Sequence, residues 1–172
     1  DRTQIGNPHP DFTMGLNLNF SYKGFDLNIT GAGAFGQQIA KSYRSFADSP
    51  LQNYTTDIFG RWTGEGTSNK LPRLTSGSHT NWQNISDIYI EDGDYLKIQN
   101  LTIGYDFKKL FPTMPLGQAR LYLTAQNLFT FTGYSGMDPE IGYGYDKSWV
   151  SGIDLGYYPS PRTYMVGVNL KF

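Results

Sequence analysis

The chain has no cysteine among its 172 residues. That removes disulfide staples and cysteinyl metal sites, and says little more about compartment. No stretch approaches the roughly 18 consecutive apolar residues that a spanning helix requires. Excess charge is also missing: the formal net charge is -1, so there is no basic footprint for nucleic acid. The two histidines, His9 and His79, stand alone without ligand spacing, which argues against zinc. Neither a G-x-S-x-G elbow nor a P-loop is present. Glu91-Asp92-Gly93-Asp94 lacks the full calcium-loop pattern. Asp138-Pro139-Glu140 has no companion element for glycoside hydrolysis and reads as a loop-shaping turn. We expect no catalytic residue, no metal and no cofactor. No methionine or signal peptide opens the chain at Asp1, so either a leader has been removed or the sequence is part of something longer.

What the chain does have is aromatic residues, 16% of the total with 13 Tyr and 11 Phe, together with 20 Gly. Their placement is clearest at the C-terminus. Tyr164, Val166, Val168, Leu170 and Phe172 alternate with Thr163, Met165, Gly167, Asn169 and Lys171. A period of two puts one apolar and one wetter face on a single strand. Aromatics at both rims of the apolar face suit an outer-membrane strand, because rings prefer the two lipid–water interfaces. Such a strand needs only about 9–11 residues, half of them apolar, so a low mean hydropathy does not exclude a membrane.

The same alternation recurs upstream. Strands are expected at about 12–20, 24–36, 94–107, 119–132 and 161–172. The first two make a hairpin about a turn at 21–24. Within the third, Leu101, Ile103 and Tyr105 read as lipid-facing. Lys97 and Gln99 fall on the same face by parity, so the strand is expected to project beyond the bilayer there. Asn127 interrupts the apolar face of the fourth. Short connections (21–24, about 108–118) alternate with long ones (about 37–93 and 133–160), as tight periplasmic turns alternate with extended extracellular loops. The long 37–93 segment argues for a functional outer surface. Five strands cannot close, since bacterial barrels use even counts from about eight upward and hydrocarbon tolerates no open edge. The expected fold is all-β: antiparallel transmembrane strands forming part of a larger barrel.

Four colinear segments carry a family resemblance: 6–29 (GNPHPDFTMGLNLNFSYKGFDLNI), 91–107 (EDGDYLKIQNLTIGYDF), 121–140 (LYLTAQNLFTFTGYSGMDPE) and 152–172 (GIDLGYYPSPRTYMVGVNLKF). Together they resemble the C-terminal end of SusC/RagA-like TonB-dependent transporters, over essentially the whole chain. The resemblance implies a 22-stranded barrel in the Gram-negative outer membrane, whose plug domain and TonB box lie outside this chain. Implied partners are the rest of the same barrel, a SusD-like surface lipoprotein as lid, TonB–ExbB–ExbD, the barrel-assembly machinery and the lipid bilayer. The implied cargo is an oligosaccharide or an oligopeptide.

Aromatic rings in the outer loops suit sugars, which stack C–H faces on flat side chains beside hydrogen-bonding groups. Trp62, Trp82, Tyr143, Tyr145, Trp149, Tyr157 and Tyr158 are the expected ligand or lid contacts, with Tyr143, Tyr145 and Trp149 foremost. The alternative is that these rings pack the loops together. Asp138, Glu140, Asp146 and Asp154 are candidate polar partners. Tyr164, Val166, Val168, Leu170 and Phe172 resemble the C-terminal signal read during barrel assembly. A soluble all-β carbohydrate-binding module is the main rival reading, and a small-barrel enzyme or adhesin a second; neither explains the colinear segments.

Overall fold

The computed structural model describes residues 2–43, 56–74, 86–141 and 151–172. Among the described residues eight strands run in chain order: β1 (Phe12–Tyr22), β2 (Phe25–Phe35), β3 (Gln38–Lys41), β4 (Ile90–Asp92), β5 (Tyr95–Asp106), β6 (Gln118–Thr132), β7 (Ile153–Asp154) and β8 (Thr163–Lys171). They form two compact units. One comprises residues 11–35, 94–133 and 159–172, and the other 1–10, 36–93 and 134–158.

The first unit is a five-stranded antiparallel sheet in the order β1-β2-β5-β6-β8. Its outer strands β1 and β8 each pair on one side only among the described residues. The register sorts its side chains by chemistry. Leu18, Ile29, Leu101, Ala125 and Tyr164 lie side by side across all five strands. Phe20, Leu27, Ile103, Leu123 and Val166 form the next row. Phe12, Met14, Phe25, Phe35, Leu96, Ile98, Phe129, Phe131, Val168 and Leu170 extend the same face without a charged residue. The opposite face is polar. β-branched and aromatic residues favour a pleated surface, and a one-residue slip would transfer every one of them to the wrong side.

The β1–β2 connection is tighter than 21–24. Tyr22 still pairs with Phe25, leaving Lys23 (φ 47°) and Gly24 (φ 90°) as the turn. Two successive left-handed residues match the twist of a two-residue hairpin. A Cβ on Gly24 would also lie 2.8 Å from Lys109 Cγ, so glycine is required twice over.

Strict parity fails in β5, where the structure corrects the expected projection beyond the bilayer. The single step from Thr30 to Gly31 on β2 is matched by Asn100 to Ile98 on β5 and by Gln126 to Phe129 on β6. Gln99 is therefore a bulge residue, and a bulge turns over everything beyond it. Leu96 and Ile98 join the apolar face, and Lys97 moves to the polar face opposite Ala32 and Thr130, where it is 2% exposed.

Asn127 belongs to the same irregularity. Its φ is 51°, a left-handed conformation that asparagine adopts more readily than most residues, and its Nδ2 donates to the Pro161 carbonyl at 3.0 Å. Asn127→Ile is expected to cost about 1–3 kcal/mol through backbone strain, whereas Asn127→Gly loses only the tether to Pro161. The check is the temperature at which the folded species on an unboiled gel converts to the unfolded one.

The second unit contains a small sheet ordered β4-β3-β7, antiparallel between β3 and β4 and parallel between β3 and β7. Ile39 is its most buried apolar side chain. A Cβ on Gly93 would fall 2.8 Å from Ile39, so the glycine lets the two segments close. The expected 37–93 loop thus carries β3 at its start and β4 at its end, with 3₁₀ turns at Thr56–Gly60 and Asp87–Tyr89.

Candidate functional site

Across the polar face of the large sheet, Asn17, Thr30, Asn100, Gln126 and Thr163 form one transverse row. Asn19, Asn28, Thr102, Thr124 and Met165 form the next. Asn19 Nδ2 donates to Asn17 Oδ1 at 2.9 Å, Asn28 Nδ2 donates to Asn19 Oδ1, and the hydroxyls of Thr102 and Thr124 pair at 3.0 Å. This belt offers neutral donors and acceptors and no ionised group.

Beyond it lies an ion pair. Arg120 donates from Nε to Asp26 Oδ1 at 2.8 Å and from Nη2 to Asp26 Oδ2 at 2.5 Å, reaching from β6 over β5 to β2. Bidentate geometry makes such a pair specific as well as strong. Gly104 gives it room, since a Cβ there would sit 2.6 Å from Asp26 Oδ1 and 2.7 Å from Arg120 Nε. Arg120 also stacks on the Tyr122 ring, 4.8 Å from its centroid. Tyr122 in turn lies over Gly167, whose absent side chain leaves the ring its place. Asp26 and Arg120 were not among the sequence candidates. The hairpin turn fixes the height of Asp26 on β2, but only the non-local pairings β2–β5 and β5–β6 bring Arg120 within reach.

In the second unit, polar side chains tie the segment after β6 to its strands. Lys41 Nζ donates to Glu91 Oε1 at 2.9 Å and to Ser135 Oγ at 2.5 Å, while the Ser135 amide donates to Glu91 Oε2 at 2.9 Å. Partial burial opposes ionisation of Glu91. Hydrogen bonds from the Ser135 amide, the Lys41 ammonium and the Ser135 hydroxyl outweigh it and hold the carboxyl below its ordinary range. A carboxylate with a depressed native pKa stabilises the fold above the unfolded value near 4.5, and that stabilisation is lost as pH falls through the native value. Acidifying below about pH 4.5 is therefore expected to loosen this unit, and Glu91→Gln to flatten the response. Amide exchange around Ser135, followed against pH, is the check.

Tyr134 donates its hydroxyl to Asp154 Oδ2 at 2.6 Å. Burial, and then the adjacent Asp154 carboxylate, push that hydroxyl far above the usual tyrosine range. Asp154 Oδ1 accepts from the Gly156 amide at 2.7 Å and the Tyr157 amide at 3.3 Å. Asp154 is 2% exposed, so it is spent on holding the loop and is not available as a ligand partner. Asp138 accepts from the Glu140 amide at 3.0 Å, closing a turn.

Of the aromatic candidates, Trp62 lines a cavity of about 770 Å³ with Ser68, Asn69, Lys70, Arg73 and Asp87. Tyr157 and Tyr158 do not contribute to that cavity among the described residues. Tyr157 is exposed beside Asp154, to which its amide donates, and Tyr158 is 87% exposed. Trp82, Tyr143, Tyr145 and Trp149, with Asp146 and His79, lie outside the described residues. On β8, Tyr164, Val166, Val168 and Leu170 present one exposed apolar row, with Phe172 exposed just past its end.

No protein-family model matches the chain. Over its full length it is 37% identical to TonB-dependent receptor P3 of Formosa agariphila, spanning 17% of that protein. It is 29% identical to TonB-dependent receptor SusC of Bacteroides thetaiotaomicron, spanning 16%. The RagAB peptide importer in its open-open state superposes with a TM-score of 0.70 and 26% identity, over 95% of this chain and 17% of that one. The chain is thus about a sixth as long as the proteins it matches.

Proposed function

The chain belongs with the SusC/RagA-like TonB-dependent receptors, and from that premise we propose that it forms part of the barrel wall and outer loops of an outer-membrane nutrient importer. The observation that carries this reading is the five-stranded sheet with one uncharged apolar face, one polar face and two open edges. Such a sheet suits a wall between lipid and a watery lumen, with its edges continued by further strands. The cargo is an oligosaccharide or an oligopeptide handed over by a SusD-like lipoprotein. The RagAB importer is a peptide transporter, and the loop aromatics Trp62, Tyr157 and Tyr158 are the kind of side chain on which sugars stack. Strands β1, β2, β5, β6 and β8 cross the bilayer, the 37–93 and 133–160 segments face outward, and the short turns face the periplasm. Import is energised by TonB–ExbB–ExbD through parts of the receptor outside this chain.

The test starts from outer membranes extracted in detergent. Peptides of this chain are expected in a species on the order of 100 kDa that runs faster unboiled than boiled, together with a co-purifying lipoprotein. Their recovery in a water-soluble 19.4 kDa protein would overturn the reading and favour the carbohydrate-binding module.

The exposed apolar row of β8 with Phe172 serves assembly by offering a strand edge for pairing. Phe172→Ala is expected to lower the assembled receptor several-fold in pulse-labelled cells at unchanged synthesis. Unchanged surface levels would remove that role.

A further inference from the structure

The connection between β5 and β6 displays hydrophobic side chains that the sheet does not require. Leu110 is 56% and Phe111 52% exposed. They are held in place by a folded turn. Asp106 Oδ1 accepts from the Lys108 and Ala119 amides, the Leu110 and Phe111 amides both donate to the Phe107 carbonyl, and Lys108 Nζ donates to the Met114 carbonyl at 2.6 Å. A rigid loop that presents a leucine and a phenylalanine marks an interaction surface.

Two features say what covers it. First, the loop continues the rim of the apolar sheet face: Phe107 packs edge-on against Tyr105, with ring centroids 5.3 Å apart, and Tyr105 pairs with Phe25. Second, two cations sit on this turn and on the β1–β2 turn that touches it. The Lys109 stem packs on Gly24, and the adjacent Lys23 lies over the Tyr22 ring, 5.2 Å from its centroid. Lys23 and Lys109 are both exposed, whereas Asp26 and Asp106 are engaged with Arg120 and with backbone amides. Lysines above an aromatic rim suit a layer whose surface is anionic and whose interior is hydrocarbon.

We propose that the β1–β2 and β5–β6 turns form a docking patch for anionic phospholipid, with Lys23 and Lys109 taking headgroup phosphates and Leu110 and Phe111 entering the acyl boundary. The patch rests on the membrane reading above, so its test separates the two. The full receptor is reconstituted in nanodiscs with and without phosphatidylglycerol. Single spin labels at Val166→Cys, Phe111→Cys and Leu110→Cys are compared for collision with oxygen and with a water-soluble nickel complex; this chain contributes no cysteine of its own. Oxygen-dominated signals at all three positions are the expected result. A lipid signal at Val166 with water signals at both 110 and 111 overturns the patch alone, and a water signal at Val166 overturns the membrane reading itself. Native mass spectrometry then compares bound phosphatidylglycerol with phosphatidylcholine. Lys23→Gln with Lys109→Gln is expected to lower that ratio about tenfold. An unchanged ratio in a variant that still shows the folded species overturns the headgroup assignment.

Discussion

Val166→Arg is expected to remove about 2–4 kcal/mol from the assembled barrel, while Met165→Arg, one residue away, changes stability little. The two positions differ in face. Val166 is 74% exposed on the apolar side opposite Leu123, and Met165 lies opposite Thr124 in the neutral polar belt. An arginine in hydrocarbon loses its hydration without a partner, whereas one facing a watery lumen keeps it. Equilibrium unfolding of the reconstituted receptor measures both variants. Equal penalties would show that the two faces of β8 do not meet different solvents.

Asp154→Ala carries the largest expected effect in the second unit, on the order of 3 kcal/mol. Its carboxylate accepts from the Tyr134 hydroxyl and from the Gly156 and Tyr157 amides. Removing it leaves the buried Tyr134 hydroxyl without this acceptor and frees the part-buried Gly156 and Tyr157 amides from the turn. Asp154→Asn retains an oxygen acceptor but loses the charge that strengthens each bond, so an intermediate loss is expected. Limited proteolysis reads the result: the Ala variant should be cut between Tyr134 and Tyr158 far faster than the parent, with cleavage elsewhere unchanged. Parent-like resistance would mean that the loop holds without this anchor.

The all-β antiparallel fold and the two chemistries of the large sheet were legible because alternation persists through β1, β2 and β8, where nothing disturbs the period of two. Parity misled at Lys97 because a bulge leaves no mark in composition: Gln99 is an ordinary strand residue. Asn127 did leave a trace, as an amide interrupting an apolar row, but only its left-handed backbone and its bond to Pro161 explain it. Strands of two to four residues such as β3, β4 and β7 are too short for alternation to register, so the small sheet passed as loop. Lys41, Glu91 and Ser135 meet across sequence separations of 50 and 94 residues. No local pattern encodes such a meeting. Asp154 was selected for its charge, and the same charge, buried, is what the loop uses.

The staggered steps at Thr30–Gly31, Asn100–Ile98 and Gln126–Phe129 behave like insertions in successive lines of text that stay aligned only when kept together. Drawing Gln99 into the regular alternation would carry Lys97 to the apolar face and Leu96 and Ile98 to the polar one, so length changes here must arise in matched sets. Chimaeras between relatives should therefore exchange residues 95–132 as one block, and crossovers inside that block should yield chains that never assemble.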